Sequence, residues 1–362
     1  MSQRVIFHVD ANSAFLSWSA AYRVKVLGES QDLRLVPSVV AGDKASRHSI
    51  ILAKSTPAKK YGIQTGEPLF QALEKCPELV VIPPDYGLYV QASRHFVAML
   101  REFSPAVEQY SIDEAWVDMT GTQRLWGPPR LAAEQMRRRI WEELGFTVNI
   151  GISSNKLLAK MAGDFEKPNK VHTLFPEEME RKFYPLPVRD LFLVGSATER
   201  KLQRMGIYTI GDLARADVKT VKRRLGKQGE MLWHFANGRN AEAVTPEPAE
   251  NKGYSNATTT AHDVVAREEG RQVLLSLCET VAARLRKDGK CGSCVSIHLR
   301  TNEFQHFSHQ RVLHGATNIT TELFEAVCQL FDEAWDGVTP LRQLGVQVTR
   351  LSGEPYQQFD FF

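Results

Sequence analysis

Short apolar runs alternate with stretches of helical apolar spacing along the whole chain, so strands and helices are interleaved. Arg4–Val9 is an apolar strand that ends on Asp10. Residues 14–30 follow as a helix with Phe15, Trp18 and Tyr22 on one face. Trp18 and Tyr22 are assigned to the core, and Phe15 to the edge of any site built at Asp10. Further strands are predicted at Leu35–Gly42, Ser49–Ala53 and Leu79–Ile82, and a longer helix at Tyr86–Phe103. Pro129–Leu144 is a helix with Met136, Ile140 and Leu144 on one stripe. Thr147–Ser153 alternates as a half-buried strand, and Ser153 and Ser154 cap the helix that starts at Asn155 and carries Lys156 and Lys160. This order predicts an α+β sheet with helices on one face.

Chemistry enters at Ser111-Ile-Asp-Glu114, inside the strand-favouring run Val107–Met119. Two adjacent carboxylates in such a run either lie on a solvated hairpin edge or are held by a cation, because a buried acid without a partner is costly. The N-terminal strand adds a third acid, Asp10, at a strand end beside a helix start, where open sheets place chemistry. If the two strands pair, Asp10, Asp113 and Glu114 converge. Hard oxygen ligands suit Mg2+ or Mn2+. Two such ions roughly 3.5–4 Å apart stabilise the attacking and leaving oxygens of a phosphoryl transfer.

A length of 362 residues calls for two to four domains. The apolar fraction of 43% and charged fraction of 24% are those of a soluble globular protein. The longest apolar runs are strand-sized, so no membrane span is expected, and the N-terminus lacks a signal-peptide pattern. Five scattered cysteines fit a reduced cytoplasm. The net charge of +3 says little about partners, but its distribution says more.

Lys54–Ile63 contains a short helix bracketed by Pro57 and Gly62, where Thr56, Lys59 and Lys60 form either an anion grip or a solvated basic face. Gly163–Lys170 is a turn that presents Lys167 beside Pro168. Residues 175–241 become helical. Leu191–Ile207 reads as a helix-hairpin-helix, with Gly195 in the hairpin and a Ser196/Glu199 capping box. Such hairpins bind nucleic-acid phosphates through backbone N–H groups. Arg200, Lys201 and Arg204 surround it, and Lys219, Lys222, Arg223, Arg224 and Lys227 add a basic cluster. A Pro- and Glu-rich stretch is read as a linker, 242–252. Residues 253–352 form a small α/β domain with helices at 267–287 and 320–335 and strands near 294–301, 306–313 and 344–351. Arg300, His306, His309 and Arg311 are expected to share one face of its sheet. Cys291 and Cys294 form a lone C-x-x-C at a turn, read as structural because zinc requires two more ligands. Three Phe among the last four residues suggest a tail that docks into an apolar groove on a partner.

Taken together, these residues resemble the Y-family DNA polymerases of the DinB type, which copy across damaged templates, over nearly the whole chain. His8-Val-Asp10 and Ser111-Ile-Asp-Glu114 look like the family's two acidic motifs, and Gly151–Lys160 with Glu166-Lys-Pro-Asn169 like its third block. Gln358-Phe-Asp-Phe-Phe362 looks like the peptide by which bacterial polymerases bind the sliding clamp. The resemblance implies a palm (1–13 and 82–174), fingers (14–81), a thumb with the helix-hairpin-helix (175–241), a little finger (253–352) and a clamp-binding tail (353–362).

The resemblance also implies roles. Asp10, Asp113 and Glu114, with the Ala11 carbonyl, would hold two Mg2+ ions, with Mn2+ as a substitute. Phe15 would be the aromatic gate against a ribose 2′-OH. Thr56, Lys59 and Lys167 would contact the incoming triphosphate. Gly195, Ser196, Arg200, Lys201 and Arg300 would contact DNA, and Gln358, Phe359, Phe361 and Phe362 the clamp. The implied partners are primer-template DNA, a deoxynucleoside triphosphate and the clamp, for a monomer in a bacterial cytoplasm at the nucleoid. Thr56 and Lys59 depart from a usual Tyr and Arg, Asn12 from a common Asp and Ala14 from an aromatic. Lysine lacks the bidentate phosphate grip of arginine, so nucleotide selectivity is where these departures act. Two rivals are a non-catalytic DNA-binding scaffold and a nucleotide cyclase. The three acids argue against the first, and the hairpin and tail against the second.

Overall fold

The computed structural model describes residues 4–43, 49–248 and 250–353. The tail residues Gln358, Phe359, Phe361 and Phe362 lie outside them. The described residues fall into two compact units, 4–43 with 49–248, and 250–353.

The first unit carries strands β1 (Ile6–Ala11), β2 (Ser38–Ala41), β3 (Ile51–Lys54), β4 (Val80–Ile82), β5 (Val107–Gln109), β6 (Glu114–Asp118), β7 (Val148–Ser153) and β8 (Val171–Thr173). Five of them form a sheet in the order β5-β6-β1-β7-β8, and three form a smaller sheet, β3-β2-β4. β1 is central and antiparallel to both neighbours, with Asp10 opposite Glu114 on one side and Asn149 on the other.

Every residue of β1 and β7 is buried, so both sheet faces are covered. Phe7, Val9, Ala115, Val117, Ile150 and Ile152 point into the main core with the helices Ala14–Lys25, Tyr86–Phe103 and Pro129–Arg139. Ile6 and Trp116 point the other way, against Ala159 of the helix Lys156–Gly163. The expectation of helices on one face is therefore corrected. The reason is Gly151: a Cβ there would stand 1.9 Å from the Ala159 carbonyl oxygen and 2.3 Å from the Gly163 nitrogen. Without side chains at that crossing, the helix lies directly on β7.

That helix buries Leu157, Leu158 and Met161 in a separate core with the helical segment from Met179 to Ala236. Three local expectations change. The first helix stops at Lys25, and Tyr22 is exposed, because its position turns away from the core that holds Trp18. Ser196 does not cap its helix: Gly195 is the cap residue, with no side-chain bond to the first turn. The capping box lies instead at Thr209 and Asp212, where both reciprocal bonds form.

The second unit is a four-stranded sheet ordered β11-β10-β12-β9, from β9 (Gly253–Val264), β10 (Cys291–Thr301), β11 (His306–Thr317) and β12 (Leu341–Ser352). β9 is not predicted by the sequence pattern, since the Thr-rich run between Tyr254 and Val264 carries no large apolar residue. Helices Arg267–Lys287 and Thr320–Ala334 cover one face. Arg300 lies directly opposite His306, whereas His309 and Arg311 face the buried Ile297 and Val295. Arg311 accordingly pairs with Glu333 of a covering helix, 2.5 Å away. The four basic residues thus divide between two faces, because the register counts every second residue. Cys291 and Cys294 are free, buried and part of β10 rather than a turn. Among the described residues, no helix is long and apolar enough to cross a membrane.

Candidate active site

A cavity of about 400 Å³ opens at the carboxyl end of β1, between the five- and three-stranded sheets. Its wall takes in Asp10, Ala11, Phe15, Thr56, Lys59, Asp113 and Lys167. Residues 10, 56, 113 and 167, far apart in the chain, therefore meet in one place. β1 delivers Asp10, and the Ala11 N–H donates to the Asp113 carbonyl (3.0 Å), which locks the bend before β6 beside it. The Asp113 carboxylate accepts from the Ser111 hydroxyl at 2.7 Å.

Asp10 is 8% exposed, and burial raises its carboxyl above the ordinary range, although the Lys167 ammonium, bound directly to it, pulls the other way. Lys167 also pairs with Asp164 at 2.8 Å; burial opposes its charge, but these two acids win and its ammonium is held firmly protonated. Asn149 fixes the loop that carries it. Its side-chain amide donates to the carbonyls of Gly163 and Glu166, and its oxygen accepts from Asn12. The Asn12 oxygen in turn accepts from the Asn169 N–H.

Glu114 behaves differently. It lies across from Asp10 on the face covered by the helix Lys156–Gly163 and is not part of the cavity wall. Its carboxylate accepts from Lys160 at 2.5 Å and from His8 at 3.2 Å. Burial would raise Glu114, but these donors outweigh it and hold its carboxyl at about 2. Burial keeps His8 neutral, so its Nε2–H is the donor. Removing one partner of such a buried pair costs about 3–5 kcal/mol, because a charge is left without compensation. All three acids come to one strand junction. Two face the cavity and the third faces Lys160, and among the described residues no three acidic, His or Cys side chains form a ready cation cage.

Around the acids stands a shell of basic side chains and free helix N–H groups. The helix from Ala14 starts at the cavity with no side-chain cap, which leaves its first N–H groups directed at the space. The short helix Thr56–Lys59 is capped by Ser55, which accepts from the Ala58 N–H, and so holds Thr56 and Lys59 on the opposite wall. Sequence reasoning missed Arg34 and Lys54, which line the same wall. Lys54 donates to the Ile63 carbonyl at 2.6 Å, and burial, then the neighbouring Lys59 charge, lowers its pKa. The strand pattern at Ile51–Lys54 was the signal for it. Phe15 is half-buried and stacks on the buried Tyr89 with centroids 4.4 Å apart, so its ring is held at the cavity edge.

In the helical segment Gly195, Ser196, Arg200 and Lys201 are all exposed, together with Lys222, Arg223, Arg224 and Lys227. In the second unit Arg300 lies 4.5 Å from the exposed Phe304 ring.

A mixed sheet that ends on a cluster of acids, beside a cavity lined with lysines and an uncapped helix start, is the arrangement of a protein that handles a polyphosphate. Residues 9–164 match the impB/mucB/samB family model, 251–361 its C-terminal domain, and 189–240 a model described as the DNA polymerase-iota thumb domain. The chain is 44% identical to DNA polymerase IV of Clostridium acetobutylicum over 99% of its own length and 90% of that protein's. It is 38% identical to DNA polymerase IV 2 of Bacillus subtilis over 100% and 88%. A solved chimeric Y-family DNA polymerase, built from Dbh and Dpo4, shares the fold with a TM-score of 0.81 at 20% identity, over 96% of this chain and 98% of that one. The chain belongs to the impB/mucB/samB family of Y-family DNA polymerases.

Proposed function

We infer that this protein is a translesion DNA polymerase that adds a deoxynucleotide to a primer 3′-OH at the Asp10–Asp113 cavity and releases pyrophosphate. The observation that supports this reading is the meeting of Asp10, Asp113, Lys59 and Lys167 in one cavity of about 400 Å³, within a chain of this family. The donors there are carboxylates and the Ala11 carbonyl, an all-oxygen set that fits Mg2+ or Mn2+. Asp10, Asp113 and the Ala11 carbonyl, joined by Glu114, would hold two divalent ions. Such ions supply positive charge for the attacking 3′-oxygen and for the leaving phosphate oxygens.

The chain's own residues do the rest. Lys59, Lys167 and the uncapped start of the Ala14 helix neutralise and orient the triphosphate. The Thr56 hydroxyl offers a hydrogen bond without the bulk of an aromatic ring. Phe15, fixed on Tyr89, closes the space in which a 2′-OH would sit. Domains follow the palm, fingers, thumb and little-finger boundaries given above. Gly195, Ser196, Arg200 and Lys201 in the hairpin, and Arg300 in the second unit, would contact template backbone phosphates.

The test is single-nucleotide primer extension with Asp113→Asn. Asp113 is half exposed and carries no ion pair among the interactions described, so the variant should keep its melting temperature while losing on the order of 10³-fold in rate. Undiminished incorporation would remove Asp113 from the site. The tail Gln358-Phe-Asp-Phe-Phe362 is proposed to bind the sliding clamp, for a monomeric enzyme of the bacterial cytoplasm and nucleoid. Deleting 357–362 should abolish stimulation by the clamp and spare distributive synthesis; stimulation that survives the deletion would refute the assignment.

A further inference from the structure

Lys160 is 8% exposed and touches three things at once. Its ammonium lies 2.5 Å from the Glu114 carboxylate. It also lies 5.5 Å from the Tyr110 ring and 5.4 Å from the Phe192 ring. Tyr110 comes just before the Ser111–Glu114 stretch and packs on Trp116 of β6 at 4.9 Å. Phe192 belongs to the segment that leads into the Gly195 hairpin, and it stacks on Phe235 of the long helix Val218–Ala236. The Phe192 and Tyr110 rings meet edge to face at 6.0 Å. An unbroken line of contacts therefore runs from the Val218–Ala236 helix through Phe192 and Lys160 to Glu114. The helix that carries Lys160 is itself shared, since Leu157, Leu158 and Met161 pack into the same core as the hairpin segment.

We propose that Lys160 is a positioning residue that couples the hairpin-bearing helical segment to the Glu114 carboxylate, holding Glu114 away from the nucleotide cavity until Phe192 shifts. The chemistry is a shared hold on one cation, in which the aromatic faces keep the ammonium where it meets the carboxylate. An ammonium is drawn to a carboxylate by charge and to aromatic faces by their quadrupoles. While Lys160 and His8 both donate to the Oε2 of Glu114, that oxygen is engaged and the carboxylate charge is offset, so its pull on a divalent ion is weakened. A displacement of Phe192 changes the third contact of the ammonium and with it the hold on Glu114. Asp10 has a different partner, Lys167, on a loop facing the cavity, where a triphosphate can draw the lysine off directly. Glu114 lies off the cavity wall, so its release requires a second trigger. This inference rests on the reading of Asp10, Asp113 and Glu114 as the divalent-ion ligands.

The experiment measures Mn2+ binding to the full chain without DNA, by electron paramagnetic resonance, in wild type, Lys160→Met, Lys160→Arg, Phe192→Leu and Glu114→Gln. Lys160→Met should tighten Mn2+ binding about tenfold, because it removes a cation that engages the Glu114 oxygen; the size is that of other changes beside a metal ligand, with the opposite sign to the loss of a supporting group. Lys160→Arg should restore wild-type affinity, and Phe192→Leu should give a smaller gain in the same direction. In Glu114→Gln the added Lys160→Met change should have no effect, because the influence of Lys160 passes through that carboxylate. Equal affinity in wild type, Lys160→Met and Phe192→Leu overturns the coupling, as does a gain that persists in Glu114→Gln. If Lys160→Met fails to fold, Phe192→Leu alone decides, since it leaves the ion pair in place. Asp10→Asn and Asp113→Asn separate the two readings. If they leave Mn2+ binding unchanged, the site assignment fails; if they abolish it while Lys160 and Phe192 have no effect, only the coupling fails.

Discussion

The two larger sheets of this protein treat charge in opposite ways. In the five-stranded sheet β1 and β7 are buried along their whole length, so polar groups on them are driven to partners inside the protein, with His8 Nδ1 an exception. Asp10 has Lys167, Glu114 has Lys160 and His8, and Asn149 makes bonds to Asn12, Gly163 and Glu166. In the four-stranded sheet one face is packed by helices and the other, with the half-buried Arg300 and the exposed His306, has no helical cover, and β11 is exposed at half of its positions. A dry sheet suits charge stabilisation, because dipoles and charges act strongly where water is excluded. A wet, basic sheet suits a polyanion, whose bound counterions are released on contact.

Even two facing acids on the dry sheet diverge. Burial dominates at Asp10 and raises its carboxyl, while two donors dominate at Glu114 and depress it. Register placed them side by side, and their neighbours decided their charge.

The contrast can be broken most severely at Gly151. Gly151→Ala forces a methyl to within 1.9 Å of the Ala159 carbonyl, so the Lys156–Gly163 helix must lift off β7 and take Lys160 with it. A loss of about 3 kcal/mol or more is expected in urea unfolding, together with loss of primer extension. The matching change on the wet sheet, Gly345→Ala, approaches the Ala257 methyl at 3.0 Å and meets the Asn256 carbonyl oxygen and the His298 Cβ at an ordinary 3.5 Å, and should cost at most about 1 kcal/mol. Equal costs would show that the helix approach is not what Gly151 permits.

The next effect is on selectivity. Phe15→Ala opens the cavity edge while Tyr89 remains buried, so discrimination against ribonucleotides should fall about 100-fold with deoxynucleotide insertion reduced much less. Discrimination that stays as it was would take the gate role away from Phe15. The smallest effect belongs to the wet sheet. Arg300→Ala should weaken primer-template binding a few-fold and lower the salt slope of affinity by about one, leaving the insertion rate on saturating DNA intact. A slope that does not change would place Arg300 away from the phosphates.

Much of this was legible in the amino-acid order. Residues that carry their own local signal were found: Asp10 at the end of an apolar run, the Ser111–Glu114 pair, Pro57 and Gly62 around a short helix, and the helix at 267–287. Signals that depend on which neighbour arrives were not. Ser196 and Glu199 have the spacing of a capping box, yet the hairpin backbone makes Gly195 the cap. β9 lacks apolar alternation because it is an edge strand, and Lys54 reads as an ordinary strand residue until the Thr56 helix folds over it.

The sequence by itself determined the family, the alternation of strands and helices, and the identity of the acids and lysines, because those are properties of residue type and spacing. Only the tertiary structure decided which lysine neutralises which acid, that Glu114 faces a helix while Asp113 faces the cavity, and that four basic residues divide between two faces. Those outcomes depend on strand register and on how closely a helix can approach a strand, and both are set by contacts between segments far apart in the chain.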